Sequence, residues 1–214
     1  MRFEAVAARL QRLPEPLPPP LDLLVPVVRD GIERRPVATD GAPSPGRPAA
    51  VLVVVFPDAD AEARVVLIER PTADGHHHSG EVSFPGGKAE PTDADAIATA
   101  LREANEEVGL DPGAVGLHVV GLLDQLWIPV SDFAVTPVLA LAQRRPVYVP
   151  APDEVAAIIE PPLARFLPGA PIETIDRTIR GWPLRYGHYA IDGLSVWGAT
   201  ARVLSQLGAV VGPD

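Results

Sequence analysis

Residues 86–110 read GGKAEPTDADAIATALREANEEVGL. This stretch joins the pair Gly86 and Gly87 to an acidic entry at Asp93 and Asp95, then to a run of strong helix formers that stops at Gly109. Asp accepts hydrogen bonds from the free N–H groups that open a helix, Ala, Leu, Arg and Glu lose little freedom inside one, and Gly closes it in a left-handed conformation. The spacing therefore predicts a helix over AIATALREANEEV. Each residue turns the helix by about 100°, so Glu103, Glu106 and Glu107, at i, i+3 and i+4, share one face. Three carboxylates are expected to converge there. Like charges at that spacing cost a few tenths of a kcal/mol per pair unless a cation sits among them.

Oxygen ligands of this kind suit Mg²⁺ or Mn²⁺, hard cations that keep several waters and share their remaining positions with phosphate oxygens. Gly87 lets the backbone approach closely, which makes its carbonyl a further candidate ligand beside Glu103, Glu106 and Glu107. Arg102 adjoins the cluster, where it either holds a glutamate in place or balances charge. A solvated acidic helix face would carry the same glutamates, and their spacing alone does not separate the two readings.

The composition narrows the chemistry. The chain has no cysteine, which excludes disulfides, thiolate metal sites and a cysteine nucleophile together. Its formal net charge is -10 and no dense Lys/Arg run occurs, so the electrostatic footprint of a polynucleotide or anionic-lipid binder is missing. With 47% hydrophobic and 21% charged residues, the chain has enough apolar side chains for a core. No stretch is long and apolar enough for a signal peptide or a membrane span, and the cytoplasm is the expected location.

Outward from residues 86–110, AVLVVVF and RVVLIER are β-rich runs separated by the turn PDADAEA and read as a hairpin. EVSF is a short strand within a Gly/Pro/His-rich loop. Downstream, LHVVGLLDQLWI, FAVTPVLALA, EVAAIIE and TIRGWPLRYGHYAI read as strands, and SVWGATARVLSQL reads as a closing helix that would carry Trp197 into the core. Residues 3–12 suit a short helix, followed by Pro-rich and Gly/Ala-rich segments, so residues 1–49 form a leader packed on a domain of residues 50–214. Mixed strands with helices on both faces predict an α/β sandwich.

The pattern GGK…TALREANEEVGL resembles the Nudix box, in which a Gly is followed after five residues by Glu and after seven more by Arg-Glu-apolar-x-Glu-Glu-x-Gly-apolar. The match is complete from Arg102 through Leu110. Asp93 stands where the box has its first Glu, and the spacing from Gly87 to Arg102 is one residue longer than the general pattern. A lengthened spacer with Asp in that place is similar to the coenzyme A pyrophosphatase branch of the family. VLIERPTADGHHHSGEVSFPGG, LLDQLWIPVSDFAVTPVLAL and DGLSVWGATARVL extend the likeness over residues 50–207, with departures at Pro71 after Arg70 and at His76, near the place of a second Arg.

The resemblance implies a Nudix-type α/β/α sandwich with a mixed sheet. It implies hydrolysis of the pyrophosphate bond of a nucleoside diphosphate derivative, coenzyme A or acyl-coenzyme A foremost. The catalytic set would be Arg102, Glu103, Glu106 and Glu107, with metal on Glu103, Glu106, Glu107 and Gly87. Arg70, His78, Gly86, Gly87 and Lys88 would meet the substrate. The general base is open between a box glutamate and a loop carboxylate such as Glu81, Asp153 or Glu154. The alternatives are a broader pyrophosphatase acting on ADP-ribose, NADH or dinucleoside polyphosphates, and a silent nucleotide-sensing module. A homodimer is compatible with either.

Overall fold

The computed structural model describes residues 1–28, 46–71, 80–128, 131–179 and 182–212. In chain order the elements are α1 (Phe3–Leu10), β1 (Val27–Val28), β2 (Arg47–Pro57), β3 (Ala63–Val65), β4 (Leu67–Glu69), β5 (Val82–Ser83) and β6 (Gly86–Lys88). Then come α2 (Ala96–Val108), α3 (Pro112–Val115), β7 (Leu117–Leu122), β8 (Leu126–Ile128), β9 (Phe133–Ala142), β10 (Ala157–Ile159), β11 (Glu173–Ile179), β12 (Trp182–Ile191), β13 (Leu194–Trp197) and α4 (Gly198–Val211).

The central sheet runs β3-β2-β9-β7, with β6 added beside β2 and β8 beside β9. Its spine is the parallel pairing of β2 with β9, from Arg47 opposite Phe133 to Val55 opposite Leu141. The other pairings in it are antiparallel, which makes the sheet mixed. Side chains alternate between its two faces. Ala50, Leu52 and Val54 of β2 pack with Val138 and Ala140 of β9 against Ala100, Ala104 and Val108 of α2. Val53, Val55, Leu139 and Leu141 meet Leu204 and Leu207 of α4, with Val6 and Leu10 of α1 in the same cluster. A sheet lies between two helical layers, as expected.

The first hairpin is real but short. β3 pairs with β2 from Ala63 to Val65, after which the chain turns at the buried Val66 and β4 enters a separate sheet of order β10-β4-β5. The run 117–128 divides into β7 and β8, which pair with successive stretches of β9, and the run 178–191 falls on β11 and β12 of a third sheet that also holds β1 and β13. The closing helix starts later than its apolar spacing predicts. Leu194–Trp197 is a strand, and Trp197 precedes the first helical residue and stacks on Tyr186 at 4.6 Å instead of continuing the helical core face. The β2 strand begins at Arg47, ahead of Ala50, and α1 ends at Leu10.

Candidate active site

The α2 helix is held by matched signals at both ends. Asp95 caps it by accepting from the Ala98 N–H at 2.8 Å. At the other end Gly109 takes φ 65°, its N–H bonds to the Asn105 carbonyl and the Leu110 N–H to the Ala104 carbonyl, so a left-handed glycine closes the helix. Ala100 and Ala104 carry little side-chain volume, so the helix seats low on β2 and β9. Glu103 and Glu107 then overhang β6.

Among the described residues Glu107 is the most enclosed acidic side chain, 1% exposed. Its Oε2 accepts from the Gly86 N–H at 2.8 Å and its Oε1 from Arg70 Nη2 at 3.1 Å. Gly86 sits at φ +153°, and a Cβ there would lie 2.4 Å from the Ala50 carbonyl oxygen, so only glycine offers its N–H from this position. Burial pushes the Glu107 carboxyl up to about 7, against the lowering effect of Arg70 and the Gly86 N–H, with Glu103 and Glu154 raising it further. Arg70 also donates to the Gly86 carbonyl at 3.3 Å, and its backbone pairs with Glu81 and Gly80 at the end of the β4–β5 hairpin.

Glu103 stands over Gly87, where an added Cβ would meet the carboxylate at 2.5 Å. Burial raises its carboxyl above the ordinary range, opposed by Arg102. Arg102 organises the rest. It grips Asp93 with Nε to Oδ1 and Nη2 to Oδ2, each at 3.0 Å. Its Nη1 donates to Glu103 at 3.0 Å and to Glu106 at 2.9 Å, and its Nη2 donates to the Lys88 carbonyl at 3.0 Å. The Arg102 pairing, then hydrogen bonds within the loop, hold the Asp93 carboxyl well below the usual range.

The expected convergence of three carboxylates is modified. Glu106 is 55% exposed and turned to Arg102, while Glu103 and Glu107 face the glycines of β6. The i, i+4 reach of Arg102 to Glu106 competes with inward convergence. Among the described residues no group of three His, Asp or Glu side chains stands close enough to hold an ion unaided. Lys88 joins the site through its backbone and leaves its side chain exposed. His76, His77 and His78 lie outside the described residues.

Sequence reasoning placed Arg70 at the substrate and missed its contact with Glu107, since nothing local links positions so far apart. Glu154 is exposed, as a surface residue would be, yet it stands near the site. The segment before it is tied to the end of α2 by bonds from the Val149 N–H to the Val108 carbonyl and the Ala151 N–H to the Glu107 carbonyl, and its charge is felt at both Glu103 and Glu107. The donor set is all oxygen: the Glu103 and Glu107 carboxylates and the Gly87 carbonyl. Two carboxylates raised by burial and by neighbouring carboxylates fit a divalent cation that fills its remaining positions with water and phosphate oxygen.

Residues 46–161 match the model of the NUDIX domain. An uncharacterized Nudix hydrolase, NudL, of Cronobacter sakazakii is 40% identical over 171 residues, covering 78% of this chain and 83% of that protein. Its namesake in Salmonella paratyphi B is 40% identical over 140 residues, covering 63% and 69%. In fold, the chain is similar to a MutT/nudix family protein from Enterococcus faecalis, with 15% identity, a TM-score of 0.50 and coverage of 82% of this chain and 63% of that one. The chain belongs to the Nudix family and is a hydrolase of it. Members of that family act on nucleoside diphosphate derivatives and generally use divalent metal ions.

Proposed function

We propose that the chain hydrolyses the pyrophosphate bond of coenzyme A or acyl-coenzyme A, giving 3′,5′-ADP and 4′-phosphopantetheine or its acyl form, with Mg²⁺ or Mn²⁺ as cofactor. The observation that carries the reading is the two-point grip of Arg102 on Asp93. It gives the lengthened spacer, the feature similar to the coenzyme A pyrophosphatase branch, a working anchor, and it leaves Arg102 able to hold Glu103 at the same time.

Glu103, Glu107 and the Gly87 carbonyl would hold the metal, with Glu106 adding negative charge at the rim. When bound, the metal neutralises diphosphate charge and acidifies water. The chain's own residues do the rest. Arg70 and the Gly86 N–H fix the Glu107 carboxylate, Arg102 fixes Glu103, and the ammonium of Lys88 offers a positive charge to the phosphates beside the two glycines. A carboxylate of the set, a box glutamate or Glu154, accepts the proton of the attacking water.

A broader nucleoside-diphosphate pyrophosphatase is the second reading, favoured by Pro71 and His76 where the coenzyme A signature differs. A hydrolysis panel of coenzyme A, ADP-ribose, NADH and dinucleoside polyphosphates, with Mg²⁺, with Mn²⁺ and after chelation, decides. The expected result is metal-dependent turnover with the highest kcat/KM on a coenzyme A species. A much higher value on ADP-ribose or NADH removes the coenzyme A assignment, and full activity after chelation removes the metal reading.

A further inference from the structure

The strand β11 reads ETIDRTI, rich in the β-branched residues that favour extended backbone. It pairs with β12 along its whole length, from Glu173 opposite His188 to Ile179 opposite Trp182. Its other side is an edge. It stands last in the order β1-β12-β11, and among the described residues no other backbone hydrogen bond reaches residues 173–179. An edge of this kind presents a row of unpaired N–H and C=O groups to which another strand can add.

The other edges are guarded. At the end of the central sheet β7 shifts register between Val119 and Gly121, which spoils it as a template, and β1, β3, β5 and β10 are only two or three residues long. By contrast β11 runs without a shift and holds neither proline nor lysine. Two of its charges are also uncommitted. Glu173 is 69% exposed, its nearest basic neighbour the imidazole of His188 at 3.7 Å, and the exposed Arg177 has no ion pair or hydrogen bond among the described residues. Asp176 differs, since Arg185 on β12 holds it with two hydrogen bonds of 2.8 Å.

A second copy of the same strand fits this edge in one register. A two-fold axis perpendicular to the sheet keeps every side chain on its own face, so opposed residues share a face and the antiparallel pair is centred on a residue. Centred on Asp176 it sets two carboxylates against each other, and centred on Arg177 two guanidiniums, both destabilising. Centred on Thr174 or Thr178, only residues 173–175 or 177–179 overlap. Centred on Ile175, residues 173–177 overlap and each Glu173 meets the partner's Arg177, twice over. Each Thr174 then meets the partner's Asp176, and the half-buried Ile175, opposite Tyr186 on β12, meets its own copy at the axis.

We infer that the chain forms a two-fold dimer by antiparallel pairing of β11 with β11 of a second copy, centred on Ile175 and selected by the reciprocal pairs of Glu173 with the partner's Arg177. The two sheets join into one, of order β1-β12-β11-β11-β12-β1, and the interface is closed, so pairing ends with two copies. A contact of residues 173–177 alone is smaller than a standard interface, and the association is weak, with Kd roughly 1–100 μM.

Sedimentation velocity of the full chain over that concentration range tests it. Wild type passes from monomer to dimer in one step. Glu173→Arg opposes two arginines at each contact and Arg177→Glu two glutamates, and each weakens association by about tenfold or more while leaving the thermal melt unchanged. An equal mixture of these two variants dimerises again, because every opposed pair then joins one arginine to one glutamate. Should either variant melt early, Glu173→Gln and Arg177→Gln probe the same contacts without reversing a charge, each weakening association. A chain monomeric throughout the range, a dimer indifferent to both charge changes, a mixture that stays monomeric, or an open-ended assembly overturns the inference.

Discussion

Arg102 closes on Asp93 with two parallel hydrogen bonds of 3.0 Å, and the same guanidinium then reaches Glu103 and Glu106. A planar five-donor group is needed for this, because a lysine ammonium cannot present a two-point fork and a second pair of contacts at once. The loop from Lys88 to Asp93 is thereby locked to α2. Asp93→Asn removes the charge while keeping the shape, and it frees Arg102 to swing toward Glu103. We expect activity to fall about 10–100-fold, the usual effect of losing a group that orients a metal ligand. A Mg²⁺ titration of the rate should show weakened metal dependence. Unchanged half-saturation and rate would mean that the Asp93 grip is idle.

Glu107→Gln keeps volume and one acceptor for the Gly86 N–H but removes the charge. Activity should drop by several orders of magnitude, each 1.36 kcal/mol of lost transition-state stabilisation being about tenfold. The metal-free melting temperature should not fall. A variant with near-normal kcat, or one inactive only because it is unfolded, would return Glu107 to a structural role.

The two glycines should separate in their failures. A methyl at Gly87 meets the Glu103 carboxylate at 2.5 Å, a side-chain end that can move away. Gly87→Ala is therefore expected to fold and to lose on the order of 100-fold in activity, as small displacements at reacting groups do. A methyl at Gly86 meets the Ala50 carbonyl oxygen at 2.4 Å and the Val51 Cα at 2.5 Å, which are backbone atoms in the central strand. Gly86→Ala should cost stability, about 1–3 kcal/mol or more. Circular dichroism melts of both variants beside their rates would expose a reversal.

The raised Glu107 carboxyl gives the metal-free protein a definite pH trend. A folded value of about 7 against an ordinary 4.5 means that the folded state binds more protons than the unfolded state in that interval. Glu107 thus contributes most to stability at the acid end, and the contribution is lost as pH rises toward 7, by on the order of 3 kcal/mol if the whole interval counts. Glu107→Gln lacks this slope, so it should gain on wild type in denaturant melts run in chelator between pH 5.5 and 8. Parallel curves for the two proteins would contradict the assignment.

The legible part of the site was the part written within one helix. Asp95, the apolar stripe, Gly109 and the glutamate face are all local, and their order in the sequence is their order in space. Arg70 on Glu107 was not legible, because a pairing between positions 37 apart depends on how the β4–β5 hairpin swings against β6. The contact of Glu106 with Arg102 was not legible for a related reason, since helical geometry gives the direction of a side chain but not the partner that claims it. The strand Leu194–Trp197 was hidden because Val196 and Trp197 run on into the apolar spacing of the helix that follows, and only pairing with β12 decides between the two. The break at Val66 likewise looked continuous, because Val and Ile suit either sheet.

The parallel union of β2 with β9 has a consequence for how the protein comes into being. Residues 47–55 find their partners only at 133–141, so the floor under α2 needs chain from both ends of a long span. Closing such a span consumes chain entropy before any contact rewards it, and topologies of this sort fold slowly. During synthesis the box helix emerges whole while half of its seat is still unmade, with Val138 and Ala140 yet to be added under Ala100 and Ala104. Nascent chains released before Ala142 should therefore carry every residue of the box and hydrolyse nothing. Their bared apolar β2 strand would make them targets for chaperones or proteases before they were ever enzymes.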